Sequence, residues 1–179
     1  MELLKGKKIN LRPLEPEDLE FLYNAENDGN YWKVSGTQTP FSKYLLKNYI
    51  ENSHQDIYEA KQLRLIIETS DSRTPVGMID LFDFEPQHKR AGIGLLILSE
   101  YQNQGFASES ISMLVSYAHH YLGLHQVFAN IGLDNQTSIH LFEKHNFTKT
   151  GIKKDWILYN GSYFDEAVYQ RILTTKNEQ

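Results

Sequence analysis

The chain has no cysteine, which excludes disulfides, thiolate metal sites and any acyl-cysteine intermediate. Long hydrophobic runs are missing too. The longest, such as Leu95 to Leu98, fall far short of the roughly 18 apolar residues that a spanning helix needs. Met1 to Lys8 opens with charge where a signal peptide needs an apolar core, so the expected location is cytoplasmic, with no membrane partner. Positive charge is the minority sign: 18 Lys and Arg against 23 Asp and Glu leave a net charge of −5. That balance argues against a nucleic-acid partner held by phosphate neutralisation and favours cationic or small-molecule partners. Repeats, low-complexity tracts and Pro/Gly/Ser-rich linkers are also lacking, so residues 1–179 read as one domain.

What is present alternates between strand-like and helical patterns. Ile9 to Arg12 reads as a strand, and Glu15 to Asn27 carries Leu19, Leu22 and Tyr23 at helical spacing. Asn27 to Asn30 breaks that pattern, and Ser42 precedes a second helical stretch. Leu63 to Thr69 and Val76 to Asp83 flank a turn-rich segment and predict a hairpin, followed by a strand from Arg90 to Leu98. Gly92 and Gly94 interrupt that strand, which points to a bulge or a close approach. Ala107, Ile111, Leu114, Val115, Ala118 and Leu122 mark one face of a long helix. A strand at Val127 to Ile131, a helix at Asn135 to His145 and a hairpin turning at Asn160-Gly161 complete the order. The pattern predicts a mixed α/β sheet with helices on both faces.

The most informative stretch is Gln102-Asn103-Gln104-Gly105-Phe106-Ala107-Ser108, between the glycine-interrupted strand and the long helix. A turn of this kind presents backbone N–H groups at the positive end of a helix dipole, which suits a diphosphate. An ordinary connecting turn is the competing reading. The Gly-Lys-Ser/Thr ending of nucleotide triphosphatases and the three glycines of the dinucleotide fingerprint are both missing.

Gln102, Gly105 and Ala107 resemble the Gln/Arg-x-x-Gly-x-Gly/Ala loop of the GNAT superfamily of N-acetyltransferases. The likeness extends to Asn10-Leu11-Arg12-Pro13-Leu14 with Glu17-Asp18, and to Asp134-Asn135-Gln136-Thr137-Ser138 followed by Leu141-Phe142-Glu143-Lys144 and Asn146-Phe147. These segments are similar to the branch holding ribosomal-protein N-terminal and spermidine N-acetyltransferases. The resemblance implies a mostly antiparallel sheet with a splayed strand pair, and acetyl-CoA in the splay. It places pantetheine against Leu95, Leu96 and Ile97, diphosphate on Gln102, Asn103, Gln104, Gly105, Phe106, Ala107 and Ser108, and a further cofactor contact at Asn135. Asn135 equally suits a helix N-cap. Transfer would go directly to a primary amine, either a small amine, a polyamine or a peptide N-terminus, with no metal; a homodimer is the modest expectation for assembly.

The chain departs from the family pattern where acid–base chemistry is expected. Phe142 stands where relatives place a tyrosine proton donor, and Gly92 where they often place a glutamate. The catalytic residues are therefore left unassigned, and a degenerate acyl-CoA-binding or sensing protein is the alternative to an enzyme. Glu26, Tyr31, Trp32 and Asp80 are the candidates for the acceptor side, with Asp83 beside them. Tyr31-Trp32 is followed by Lys33, where the resemblance implies acidic residues in spermidine-acetylating relatives; this weakens a polyamine assignment, although the acidic run Glu26-Asn27-Asp28 could compensate.

Overall fold

The computed structural model describes residues 2–173, so the expected domain span of 1–179 runs past them at both ends. In chain order the elements are β1 (Ile9–Arg12), α1 (Leu19–Asn27), α2 (Gly29–Ser35), α3 (Lys43–Glu51), α4 (Ile57–Ala60), β2 (Leu63–Thr69), β3 (Pro75–Glu85) and β4 (Arg90–Ile97). Then come α5 (Phe106–His120), β5 (Gln126–Gly132), α6 (Gln136–Lys144), β6 (Thr148–Tyr159) and β7 (Ser162–Ile172). Seven strands form one sheet in the order β1-β2-β3-β4-β5-β7-β6. Every neighbouring pair is antiparallel except β4 with β5. No helix among the described residues is long and apolar enough to cross a membrane.

Alternation along the strands sends side chains to two separate cores. Leu65, Ile79, Leu81, Ala91, Val127 and Ala129 meet α5 and α6 on one face. Ile66 and Met78 meet Leu22, Ala25, Leu46 and Ile50 of α1 and α3 on the other. The Arg12 guanidinium ties β1 to this second layer. It forks onto Asp18 at 2.7 and 2.8 Å and also reaches Glu68 at 2.7 Å. Asp18 and Glu68 are both buried, so Arg12 supplies the charge partner that their burial requires. The Arg12 and Asp18 pattern read in the sequence is thus a structural bracket.

Two expectations change. The polar run Asn27 to Asn30 separates two helices instead of opening a loop, because the Asp28 carboxylate caps α2 by accepting the Asn30 N–H at 2.9 Å. Tyr31 and Trp32 therefore stand on a helix. Gly92 does not mark a bulge: β4 stays in register with β3 there, and the shift lies on β3 between Phe82 and Glu85. The approach at Gly92 is by a ring. A Cβ on Gly92 would lie 2.3 Å from the Phe82 ring, which packs edge-to-face on Phe128 with centroids 5.6 Å apart.

The feature that shapes the site is a failure of pairing. β4 and β5 pair through Arg90↔Gln126, Ala91↔Val127 and Gly92↔Phe128 and no further. β4 remains bonded to β3 as far as Gly77↔Ile97, so from Ile93 onward its other edge faces an open wedge. The splayed pair expected from the resemblance is present, within a mostly antiparallel sheet.

Candidate active site

A cavity of about 620 Å³ fills the wedge. Gly94, Leu95 and Leu96 line it from β4, Asn130 to Gly132 from β5, and Asn135, Ser138 and Phe142 from the start of α6 and its body. Of the three β4 residues proposed for the cofactor, Leu95 and Leu96 reach the cavity, whereas the Ile97 side chain is buried in the core. Asn135 acts as the N-cap, its Oδ1 accepting the Ser138 N–H at 3.1 Å. That leaves its amide N–H₂ group free of the capping bond.

The Gln102 to Ser108 turn lies beyond the end of β4 and is shaped as the sequence suggests. Gly105 sits at φ +84° immediately before α5, and Asn103 at φ +60°. Gln102 donates through Nε2 to the Ile97 carbonyl at 3.3 Å, holding the turn on the strand. Phe106 is buried in the core and anchors the first turn of α5. Ser108 is hydrogen-bonded through Oγ to His145 Nε2 at 2.9 Å. A contact that the sequence did not show is Lys8, whose Nζ donates to the Gln104 carbonyl at 2.9 Å. Glu109 holds that segment by accepting the N–H groups of Lys7 and Lys8. The turn therefore combines free α5 N–H groups with one ammonium.

His145 gives this region a pH signature. Burial lowers its pKa, and the positive charges of Arg171 and Lys144 lower it further. Below the ordinary value of 6.5 the unfolded chain binds a proton that the folded chain resists, so stability is complete above that value and falls as pH drops toward the folded pKa. His145→Gln is expected to flatten the decline of Tm between pH 7 and pH 5. An unchanged slope would assign the acid sensitivity to other groups.

Of the residues expected on the acceptor side, Glu26, Tyr31 and Asp80 line the cavity and Trp32 does not. The Trp32 indole turns back on α1 and donates to the Glu26 carbonyl at 3.0 Å. Asp83 also lies elsewhere, exposed at φ +47° and bordering a second hollow of about 690 Å³ at the closed end of the β4–β5 pair. Tyr31 is committed structurally: its hydroxyl accepts the Ser99 N–H at 2.8 Å and pairs with Ser99 Oγ at 2.9 Å.

Arg64 is the residue that the sequence reading missed. Its Nε and Nη2 donate to the two oxygens of Asp80, both at 2.8 Å, and Nη1 donates to Glu26. Burial lowers the guanidinium pKa, but the Asp80 hydrogen bonds and the charges around it outweigh that and hold it above the ordinary value. A signal was available: Arg64 interrupts an apolar strand, and the hairpin register sets it directly opposite Asp80. Lys33, in the sequence only a departure from the family pattern, has a second role. It lines the same cavity, pairs with Asp134, and lies over the Phe164 ring at 3.3 Å from its centroid.

At the two positions where the resemblance implies acid–base groups the structure shows aromatic rings. Phe142 is buried at the cavity wall, edge-to-face with Phe147 at 5.0 Å. Over Gly92 lies the Phe82 ring, which itself lines the cavity. Among the described residues no group of three or more His, Asp or Glu side chains is placed to hold a metal ion.

The fold agrees with the comparison to known proteins. The profile of the acetyltransferase (GNAT) domain matches residues 8–148. The chain belongs to the GNAT acetyltransferase family. Family members are N-acetyltransferases, and the relatives carry that name. The spermidine N(1)-acetyltransferase of Vibrio cholerae is 27% identical over 163 residues, covering 89% of this chain and 90% of that protein. An N-acetyltransferase of Bacillus subtilis is 29% identical over 167 residues, covering 93% and 94%. The crystal structure of the Vibrio cholerae spermidine N-acetyltransferase with CoA and spermine superposes with a TM-score of 0.85 over 93% of this chain and 96% of that one, at 24% identity. The GNAT fold is thereby common to both.

Proposed function

We propose that this chain transfers the acetyl group of acetyl-CoA directly to a primary amine, both substrates being held at once in the wedge. The observation that carries this reading is the loss of β4–β5 pairing after Gly92, because it leaves a strand edge and a helix N-terminus open along one channel. Backbone groups of Leu95, Leu96 and Ile97 would pair with the pantetheine arm. The N–H groups from Gln104 to Ser108, with Lys8, would hold the diphosphate. Asn135 would offer its free amide N–H to the same arm.

Acetyl-CoA supplies an activated acyl carbonyl, and the chain's own part is to orient the amine and stabilise charge on the carbonyl oxygen. Unpaired β4 N–H groups beyond Gly92 would serve the second task. The Glu26 and Asp80 oxygens face the acceptor half of the cavity and can receive ammonium hydrogens. Neither Phe142 nor Gly92 can exchange a proton, and a positioned acid or base is worth about a hundred- to ten-thousandfold. Slow turnover is the expectation, in a cytoplasmic enzyme that needs no metal.

A degenerate acyl-CoA sensor is the competing reading, favoured by the same two positions. Thiol release from acetyl-CoA, measured across small monoamines, polyamines, amino acids and N-terminal peptides, separates the two. Calorimetric binding of acetyl-CoA with turnover of at least one amine supports the enzyme; binding with none supports the sensor. For assembly, the Vibrio cholerae relative has been described as a dodecamer, which supports an oligomer larger than the expected homodimer. The open edge strand β6, with Trp156 and Leu158 exposed, offers a surface for it.

A further inference from the structure

The charges around the acceptor half of the cavity can be counted pair by pair. Lys33 answers Asp134, and Lys153 answers Glu166. Arg64 alone answers both Glu26 and Asp80. Four carboxylates thus meet three cations, and the one uncompensated negative charge lies at the Arg64 cluster. Arg64 is half-buried there, its side chain 17% exposed, so its charge is only partly screened from whatever enters.

Beyond these charged pairs the wall is made of neutral residues, polar at Ser35, Asn130, Asn135 and Ser138 and otherwise largely apolar. The Phe82 ring covers Gly92 and continues edge-to-face onto Phe128. Met78, Ile93, Phe142 and Ile157 complete a hydrophobic lining. The aromatic face of Phe164, a natural seat for a cation, already holds the Lys33 ammonium.

We propose that the acceptor is a primary amine with one positive charge on an apolar body, and that Lys33 and Arg64 exclude polyamines. This rests on the acetyl-transfer reading above. A single ammonium at Glu26 and Asp80 neutralises the excess charge, and its body lies against Phe82 and Phe142. A polyamine brings further ammonium groups against Lys33 and Arg64, with no free carboxylate for them.

The test compares phenethylamine, a phenylalanyl dipeptide amide and spermidine in two readouts. One is kcat/KM by thiol release from acetyl-CoA; the other is calorimetric affinity for the protein saturated with CoA, which needs no turnover. The expected result is at least a tenfold preference for phenethylamine over spermidine in both. The dipeptide amide decides whether the body is a small molecule or a peptide N-terminus. Lys33→Glu, which adds two units of negative charge, is expected to shift the ratio at least tenfold toward spermidine. Lys33→Gln shifts it by less and serves if the glutamate variant does not fold. Spermidine equal to or better than phenethylamine in the unaltered protein would overturn the proposal, as would a ratio unmoved by both Lys33 variants. If no amine is turned over, the enzyme reading fails, while the calorimetric ranking still decides the charge argument.

Discussion

Gly105→Asp is expected to weaken acetyl-CoA binding by at least a hundredfold, about 2.8 kcal/mol, with the protein still folded. Two effects add. The backbone at φ +84° lies in the left-handed region, where an L-residue costs roughly 1–2 kcal/mol, less for Asn and Asp. The carboxylate then stands where the diphosphate must approach, at the positive end of α5. A Cβ at this position lies 3.4 Å from Lys8 Nζ, so the new carboxylate also takes the one ammonium that the turn borrows from the amino-terminal segment.

Gly105→Asn separates the two effects, since it keeps the strain and the bulk but not the charge. It is expected to cost about tenfold. Calorimetry with acetyl-CoA checks both variants, with circular dichroism to establish folding. Equal losses for Asn and Asp would remove electrostatics from the account, and unchanged affinity in both would refute the placement of the diphosphate on this turn.

The strands and long helices were legible because each is set by local periodicity and punctuation. Asn160-Gly161 turns the last hairpin with both residues at positive φ, and the alternation in β2 and β3 sends Ile66 and Met78 to one core and Leu65 and Ile79 to the other. The turn from Gln102 to Ser108 was legible for the same reason, being contiguous in the chain. On the candidate acceptor side only single residues were legible, Glu26, Tyr31 and Asp80; their partners were not, because this wall is assembled from α1, α2, β2, β3, β5 and β7, and pairings such as Arg64 with Glu26 or Lys33 with Asp134 span 38 and 101 residues. The Asp28 cap shows the opposite hazard. A polar run reads as a break whether it ends one helix or starts the next, and only the bond to Asn30 decides.

Phe142→Tyr is expected to raise kcat by about a hundredfold while leaving KM for acetyl-CoA nearly unchanged. The ring already stands at the cavity wall near Ser138 and the β4 edge, so the substitution adds a hydroxyl without moving the backbone. Its edge-to-face contact with Phe147 at 5.0 Å and 86° fixes the plane in which that hydroxyl points. A proton donor beside the departing thiolate acts on the chemical step and not on ground-state binding, so the gain belongs in kcat. Thermal stability supplies the discriminating control. If the hydroxyl enters the cavity it is solvated, and Tm stays close to that of the unaltered protein. If it is driven into the core between α6 and the sheet, the buried, unpartnered group costs about 1–3 kcal/mol, and Tm falls with no gain in kcat. The second pattern would show that Phe142 faces away from the reacting sulfur and that the chain takes its proton donor from another element.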